Sequence, residues 1–241
     1  MKGHKALGML AWALVVPAIV WAQATPSTTA APSDSDLSRQ VCVIGEEKFV
    51  PADYYYCLAV QSYGQHKYRY AERYFKEAAS WASKPAQYVL GIMALNGDQQ
   101  PANRPLALAW LALASERPDS KFAGDYNNVL AHSSQRDKDA ANALLVDMRR
   151  TYADDVAARR AQERYEHGMA SLKNVETYCM AGLSQANKDE ATLDDPLEGN
   201  SCQRKESMVA RIDKTAAAVF DGWTGHVTVG ALQQVPGAPG K

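Results

Sequence analysis

The sequence predicts an all-α protein of stacked helical hairpins and further packing helices, ending in a short β-like segment. Three observations carry this. From Ala52 to Ser115 apolar residues recur at spacings of three and four, with turn signals between them. The pattern Ala71-x-x-Tyr74-Phe75-x-x-Ala78 returns 36 positions later as Ala107-x-x-Trp110-Leu111-x-x-Ala114. Asp137 to Met169 is almost free of Gly and Pro and rich in Ala and Arg.

Residues 1–24 read as an export signal: basic Lys2 and Lys5, an apolar run from Ala6 to Val20, then Ala22-Gln23-Ala24 with small residues at the −3 and −1 positions of a cleavage site. The competing reading is a retained anchor, since the apolar run approaches the roughly 20 residues that span a bilayer. No cysteine precedes Cys42, so no lipid attachment is expected after cleavage. The mature chain is then expected in the periplasm, or secreted, without membrane insertion. Losing Lys2 and Lys5 takes the formal charge from −1 to −3, and the remaining charges are interspersed. That argues against nucleic acid or an anionic membrane as the main partner.

Thr25 to Asp36 lacks large apolar residues until Leu37, and residues 25–40 are expected to form a flexible leader. Val235 to Lys241 reads as a flexible tail. Between them a repeat region is drawn at 41–120 and a helical C-terminal region at 121–234. Cys42, Cys57, Cys179 and Cys202 are expected to form two structural disulfides. Four cysteines allow three pairings; Cys42–Cys57 and Cys179–Cys202 are preferred because each pair is close in sequence and brackets a turn-rich stretch.

A 36-residue period means one hairpin stacked on a similar one, because a single hairpin leaves an apolar face bare. Alanines seven apart share a helix side and admit a neighbouring helix, while the large residues between them fill the remaining groove. Gly97 is expected to end the helix holding Leu90 and Met93, and Gly97 to Pro105 to be a polar loop.

Gln87-x-x-Leu90-Gly91-x-Met93-x-x-x-Gly97, the polar loop and Ala107-x-x-Trp110-x-x-x-Ala114 together resemble a SEL-one-like repeat, a relative of the tetratricopeptide repeat with a longer loop inside its hairpin. The stretch before it, with Tyr55, Leu58, Ala71, Phe75 and Ala78, has the order of a tetratricopeptide-type unit, with Ala59 where glycine is usual. The resemblance covers about a third of the chain. It implies a short α-superhelix that binds a protein or peptide on its concave face, with no common catalytic apparatus. On that family's hairpin the first helix of each unit lines the concave side. Aligning Leu58 with Leu90 places Tyr56, Val60 and Tyr63 there, with Tyr88, Ile92 and Asn96 in the equivalent row.

A third copy would put a small residue near Ala143, but its large partners and loop do not follow, so residues 120–173 are read as degenerate or unrelated helices capping the array. Asp137 to Met169 fits one long helix or two joined end to end. Its charges, among them Arg149, Arg150, Asp154, Asp155, Arg159 and Arg160, are assigned to a solvated face. Gly182 to Ser201 is acidic, yet lacks the alternate-ligand spacing of a calcium loop and reads as a disulfide-tied surface loop. A helix is expected from Arg204 to Phe220 with Met208, Ile212 and Ala216 on one face. Gly222 to Gly230 alternates as a short strand or hairpin, which must dock on the helices or on a partner's sheet edge.

For chemistry, His66, His132, His167 and His226 sit in no metal or nucleophile motif, and neither Cys-x-x-Cys nor Gly-x-Ser-x-Gly occurs. No catalytic residue, metal or cofactor is assigned. Of 21 Phe, Trp and Tyr residues, ten fall between Tyr54 and Tyr88, more than two hairpin cores need. Some of those rings should face a groove, where a tyrosine offers apolar area and a hydroxyl at little entropic cost. The expected function is therefore a periplasmic scaffold or adaptor for a protein or peptide of the cell envelope. The alternatives are an accessory subunit held by Gly222–Gly230 or, less favoured, a hydrolase with a non-local site.

Overall fold

The computed structural model describes residues 31–172, 177–180 and 201–225, of which 177–180 and 201–205 are described by backbone alone. The export signal, leader residues 25–30, the loop of residues 182–200, residues 226–230 of the C-terminal segment and the 235–241 tail lie outside the described residues. The chain divides into two units, Met1–Ala31 and Pro32–Lys241, and every element below belongs to the second.

The described chain is mostly helical. It opens with a single-turn helix, α1 (Asp34–Ser38), where the leader was expected to be flexible to residue 40. The cause is a capping box: Ser33 Oγ accepts from the Asp36 amide and the Asp36 carboxylate accepts from the Ser33 amide. A 3-10 turn, Glu46–Lys48, leads into α2 (Pro51–Gly64), whose first residue is the proline that a helix start accommodates best. Residues 65–67 turn into α3 (Tyr68–Ser80). Ser83 accepts from the Ala86 amide to cap α4 (Lys84–Asn96), and Gly97, at φ 78°, stops it where expected. Asn103 Oδ1 accepts from the Leu106 amide at 3.0 Å to cap α5 (Arg104–Ala114). The loop thus ends before Pro105, which sits inside the first turn of α5.

The helices form two consecutive pairs, α2 with α3 and α4 with α5, and α3 packs on α4. Ala71 and Ala107 are each the fourth residue of a pair's second helix, and neither has any exposed surface. Phe75, Ala78, Trp110, Leu111 and Ala114 are buried alongside. First helices correspond at 32 positions and second helices at 36; the difference is the longer loop of the second pair, residues 97–103 against 65–67. At Gly91 α4 packs tightly on α5, since a Cβ there would lie 2.8 Å from Leu111 Cγ.

Two further helices, α6 (Ala123–Ala131) and α7 (Gln135–Tyr152), pack on α5. The 36-residue register ends there: Ala143 is exposed and the buried alanine is Ala141. Two residues rotate a helix face by more than half a turn, so Ala143 lies away from α5. Ala153, extended at ψ 151°, closes α7 and opens α8 (Asp154–Ser171), so the stretch read as one or two helices is two.

Strands β1 (Thr177–Met180) and β2 (Ser201–Arg204) pair antiparallel with Cys179 opposite Cys202. Next comes α9 (Lys205–Phe220), which buries Met208, Ile212 and Ala216 as expected. These residues join Val43, Phe49, Val50, Ala161, Leu172 and Phe220 in one apolar cluster. The last helix therefore shares its core with the segment before α2, and a boundary at residue 120 does not divide the packing. Gly222–Gly225, the start of the expected strand, form turns, with Gly222 at φ 71°.

One charge placement departs from the sequence reading. Arg149, Arg150, Asp155 and Arg159 are exposed, whereas Arg160 is half-buried over the Trp81 ring and Asp154 is buried. Asp154 binds Lys84 at 3.0 Å and Arg117 at 2.7 Å, and all three residues are buried within a four-charge cluster completed by Glu116. Lys84 Nζ also donates to Gln87 Oε1 and the Leu113 carbonyl, and Arg117 donates to the carbonyls of Val219 and Asp221. Two cations against two anions leave the cluster neutral. It ties the start of α4 to the α5–α6 turn, the start of α8 and the end of α9.

Candidate functional site

On α2, Tyr56, Val60 and Tyr63 stand at i, i+4 and i+7, one helix face; on α4, Tyr88, Val89, Ile92 and Met93 stand at i, i+1, i+4 and i+5, which also share one side. These two faces line a groove of about 330 Å³, completed by Leu37, Phe75 and Asp98. That volume is at the lower end of the roughly 300–1,000 Å³ of ligand pockets. Phe75 and Met93 are buried, whereas Tyr56, Val60, Tyr63, Tyr88, Val89 and Ile92 are half-buried. An apolar floor with partly open walls is what a binding groove needs.

Five of the six residues placed on one face from sequence, Tyr56, Val60, Tyr63, Tyr88 and Ile92, line this groove. Asn96 does not. It is the exposed last residue of α4, beyond the groove lining. Val89 and Met93 were legible in principle, since they share the α4 face. Asp98 comes from the loop and Leu37 from α1, the segment taken as flexible. Two links hold α1 and the chain after it on α2: Gln61 Nε2 donates to the Gln40 carbonyl at 2.7 Å, and Cys42 is disulfide-bonded to Cys57, the neighbour of Tyr56.

Each groove tyrosine is oriented by another ring. Tyr56 packs on Phe75 at 5.8 Å, Tyr63 lies edge-on to Tyr68 at 5.2 Å, and Tyr88 stacks on Phe122 at 4.6 Å. The Tyr88 hydroxyl donates to the Asp125 carboxylate at 2.9 Å. Burial holds all three phenols above the usual tyrosine range. Nearby carboxylates add to this: Asp53 at Tyr56, Asp98 and Asp34 at Tyr63, Asp125 at Tyr88. The hydroxyls therefore stay protonated and remain donors across the physiological range.

A larger cavity of about 570 Å³ lies beside Lys84, Arg117, Lys121 and Trp223. The Lys84 and Arg117 charges are already bound to Glu116 and Asp154. Among the described residues no group of three or more His, Cys, Asp or Glu side chains is placed to hold a metal ion, and no helix is long and apolar enough to cross a membrane. Comparison with known proteins returns no match among family models, curated proteins or solved structures.

Proposed function

We propose that this chain is an exported, periplasmic adaptor of the SEL-one-like, tetratricopeptide-like kind, which holds a protein or peptide segment in the groove between α2 and α4. One observation carries the reading: the first helices of two successive pairs turn matched rows of aromatic and aliphatic residues toward one groove. Apolar walls supply affinity by area, and phenol hydroxyls at the rim hydrogen-bond a partner's backbone. The 36-position return of Ala71 as Ala107 in matching helices supports the family reading, and a disulfide between Cys42 and Cys57 suits an oxidising compartment.

The test is capture of crosslinked partners from intact envelope by wild type and by Tyr56→Ala/Tyr63→Ala/Tyr88→Ala. Loss of capture with helical circular dichroism intact is expected. The pair Tyr63→Ala/Tyr88→Ala spares the Tyr56–Phe75 packing and should lose most of the capture as well. Unchanged capture by both variants overturns the proposal.

A further inference from the structure

We infer that the groove is selective for a cationic partner: a peptide segment whose apolar side chains enter it and whose flanking lysines or arginines meet an acidic rim. This rests on the adaptor reading and narrows it to one chemistry. Among the described residues, Asp98 is the only charged one in the groove lining. Three more carboxylates stand near its tyrosines: Asp34 at the start of α1, Asp53 in the first turn of α2, and Asp125 in the first turn of α6.

The Asp125 carboxylate accepts from the Tyr88 hydroxyl at 2.9 Å, Asp53 stands three residues before Tyr56 on α2, and Asp34 stands three residues before the lining residue Leu37 on α1. Two cations stand close by without entering the lining. His66 Nε2 is 3.8 Å from the Asp34 carboxylate and carries charge only when protonated, and Lys121 lies over the far ring of the Phe122–Tyr88 stack. The whole chain has a formal charge of only −1, so four carboxylates about one apolar groove are a local feature rather than bulk acidity. Such an arrangement repels an acidic segment, gives a neutral one nothing beyond its apolar area, and steers a basic one.

The experiment selects a random displayed-peptide library against the full mature chain, after depletion on the Tyr63→Ala/Tyr88→Ala variant. Recovered peptides should carry aromatic or aliphatic residues flanked by Lys or Arg. The strongest is then synthesised with its flanks as Lys, as Gln and as Glu, and binding is read by fluorescence anisotropy. At low salt the Lys form should bind about tenfold tighter than the Gln form, with the Glu form weakest, and the gap should shrink to about twofold at 1 M salt. Asp98→Asn/Asp125→Asn should remove most of the preference for the Lys form over the Gln form. Recovered peptides with neutral or acidic flanks, or equal affinity of all three forms, overturn the inference and leave the groove reading standing. A library that yields no peptide lost on Tyr63→Ala/Tyr88→Ala overturns that reading and this inference with it.

Discussion

Replacing Asp154 by alanine removes the carboxylate that both buried cations share. Lys84 and Arg117 would then face Glu116 alone, leaving one positive charge in excess where no side chain is more than about a sixth exposed. Removing one partner of a buried pair costs about 3–5 kcal/mol, because the remaining charge stays desolvated. Lys84 keeps Glu116, and Arg117 keeps the Val219 and Asp221 carbonyls, so the low end, about 3 kcal/mol, applies. For a chain of this size each kcal/mol shifts Tm by roughly 2–4 °C, which gives a fall of about 6–12 °C. The assay is thermal unfolding by circular dichroism at neutral pH, in low and in high salt. Salt should leave the difference in place, since buried pairs are screened little. Asp147→Ala, which removes an exposed contact with Arg150, is the control and should leave Tm unchanged. A fall at Asp154 of less than about 2 °C, or one abolished by salt, would show that the cluster is hydrated and worth no more than a surface pair.

Gly91→Ala tests the nesting of α4 and α5. A methyl 2.8 Å from Leu111 Cγ must displace that side chain in a filled core, so a loss of about 1–3 kcal/mol in denaturant unfolding is expected. Cys42→Ser/Cys57→Ser opens a bond that spans 15 residues and should lower stability by about 3 kcal/mol, with amide exchange faster in α1, because the bond fixes the segment after α1 against α2. Glu46 is held above its ordinary value of 4.5 by burial, which outweighs the opposing pull of Arg211, with smaller contributions from Asp53 and Glu47 adding to the rise. A raised carboxyl stabilises the fold fully below the unfolded value and loses that contribution as pH rises through the folded one. Glu46→Gln should therefore be the more stable protein at pH 7, and its advantage should vanish below about pH 4.5, read as Tm against pH.

What the sequence made legible follows from periodicity. Apolar spacing located the helix pairs, and the 36-position return placed Ala71 and Ala107 at the same step of α3 and α5. The resemblance to the repeat family, with Leu58 aligned on Leu90, put Tyr56, Val60 and Tyr63 in the row equivalent to Tyr88 and Ile92. Extending the α4 row to Asn96 failed because the helix ends at that residue. Residues whose environment is set by distant chain were not legible. Asp154 read as a surface charge, and Lys84 and Arg117 gave no signal, since nothing local shows that four elements converge on them. Leu37 was hidden in a polar leader: a five-residue helix has too few apolar positions to show a period, and what holds it is a cap and a disulfide further on. Ala143 shows the limit of extrapolating a period, because the start of α7 is fixed by its own Ser134 cap rather than by the preceding pairs.

The groove itself is tested most directly by methyl NMR of the chain, titrated with the strongest peptide recovered from the library. Saturable shifts at the methyls of Leu37, Val60, Val89, Ile92 and Met93, with Val146, Val209 and Ile212 unmoved, are the result expected. Saturable shifts centred on α7 or α9, with the α2 and α4 methyls silent, would place binding elsewhere and contradict it.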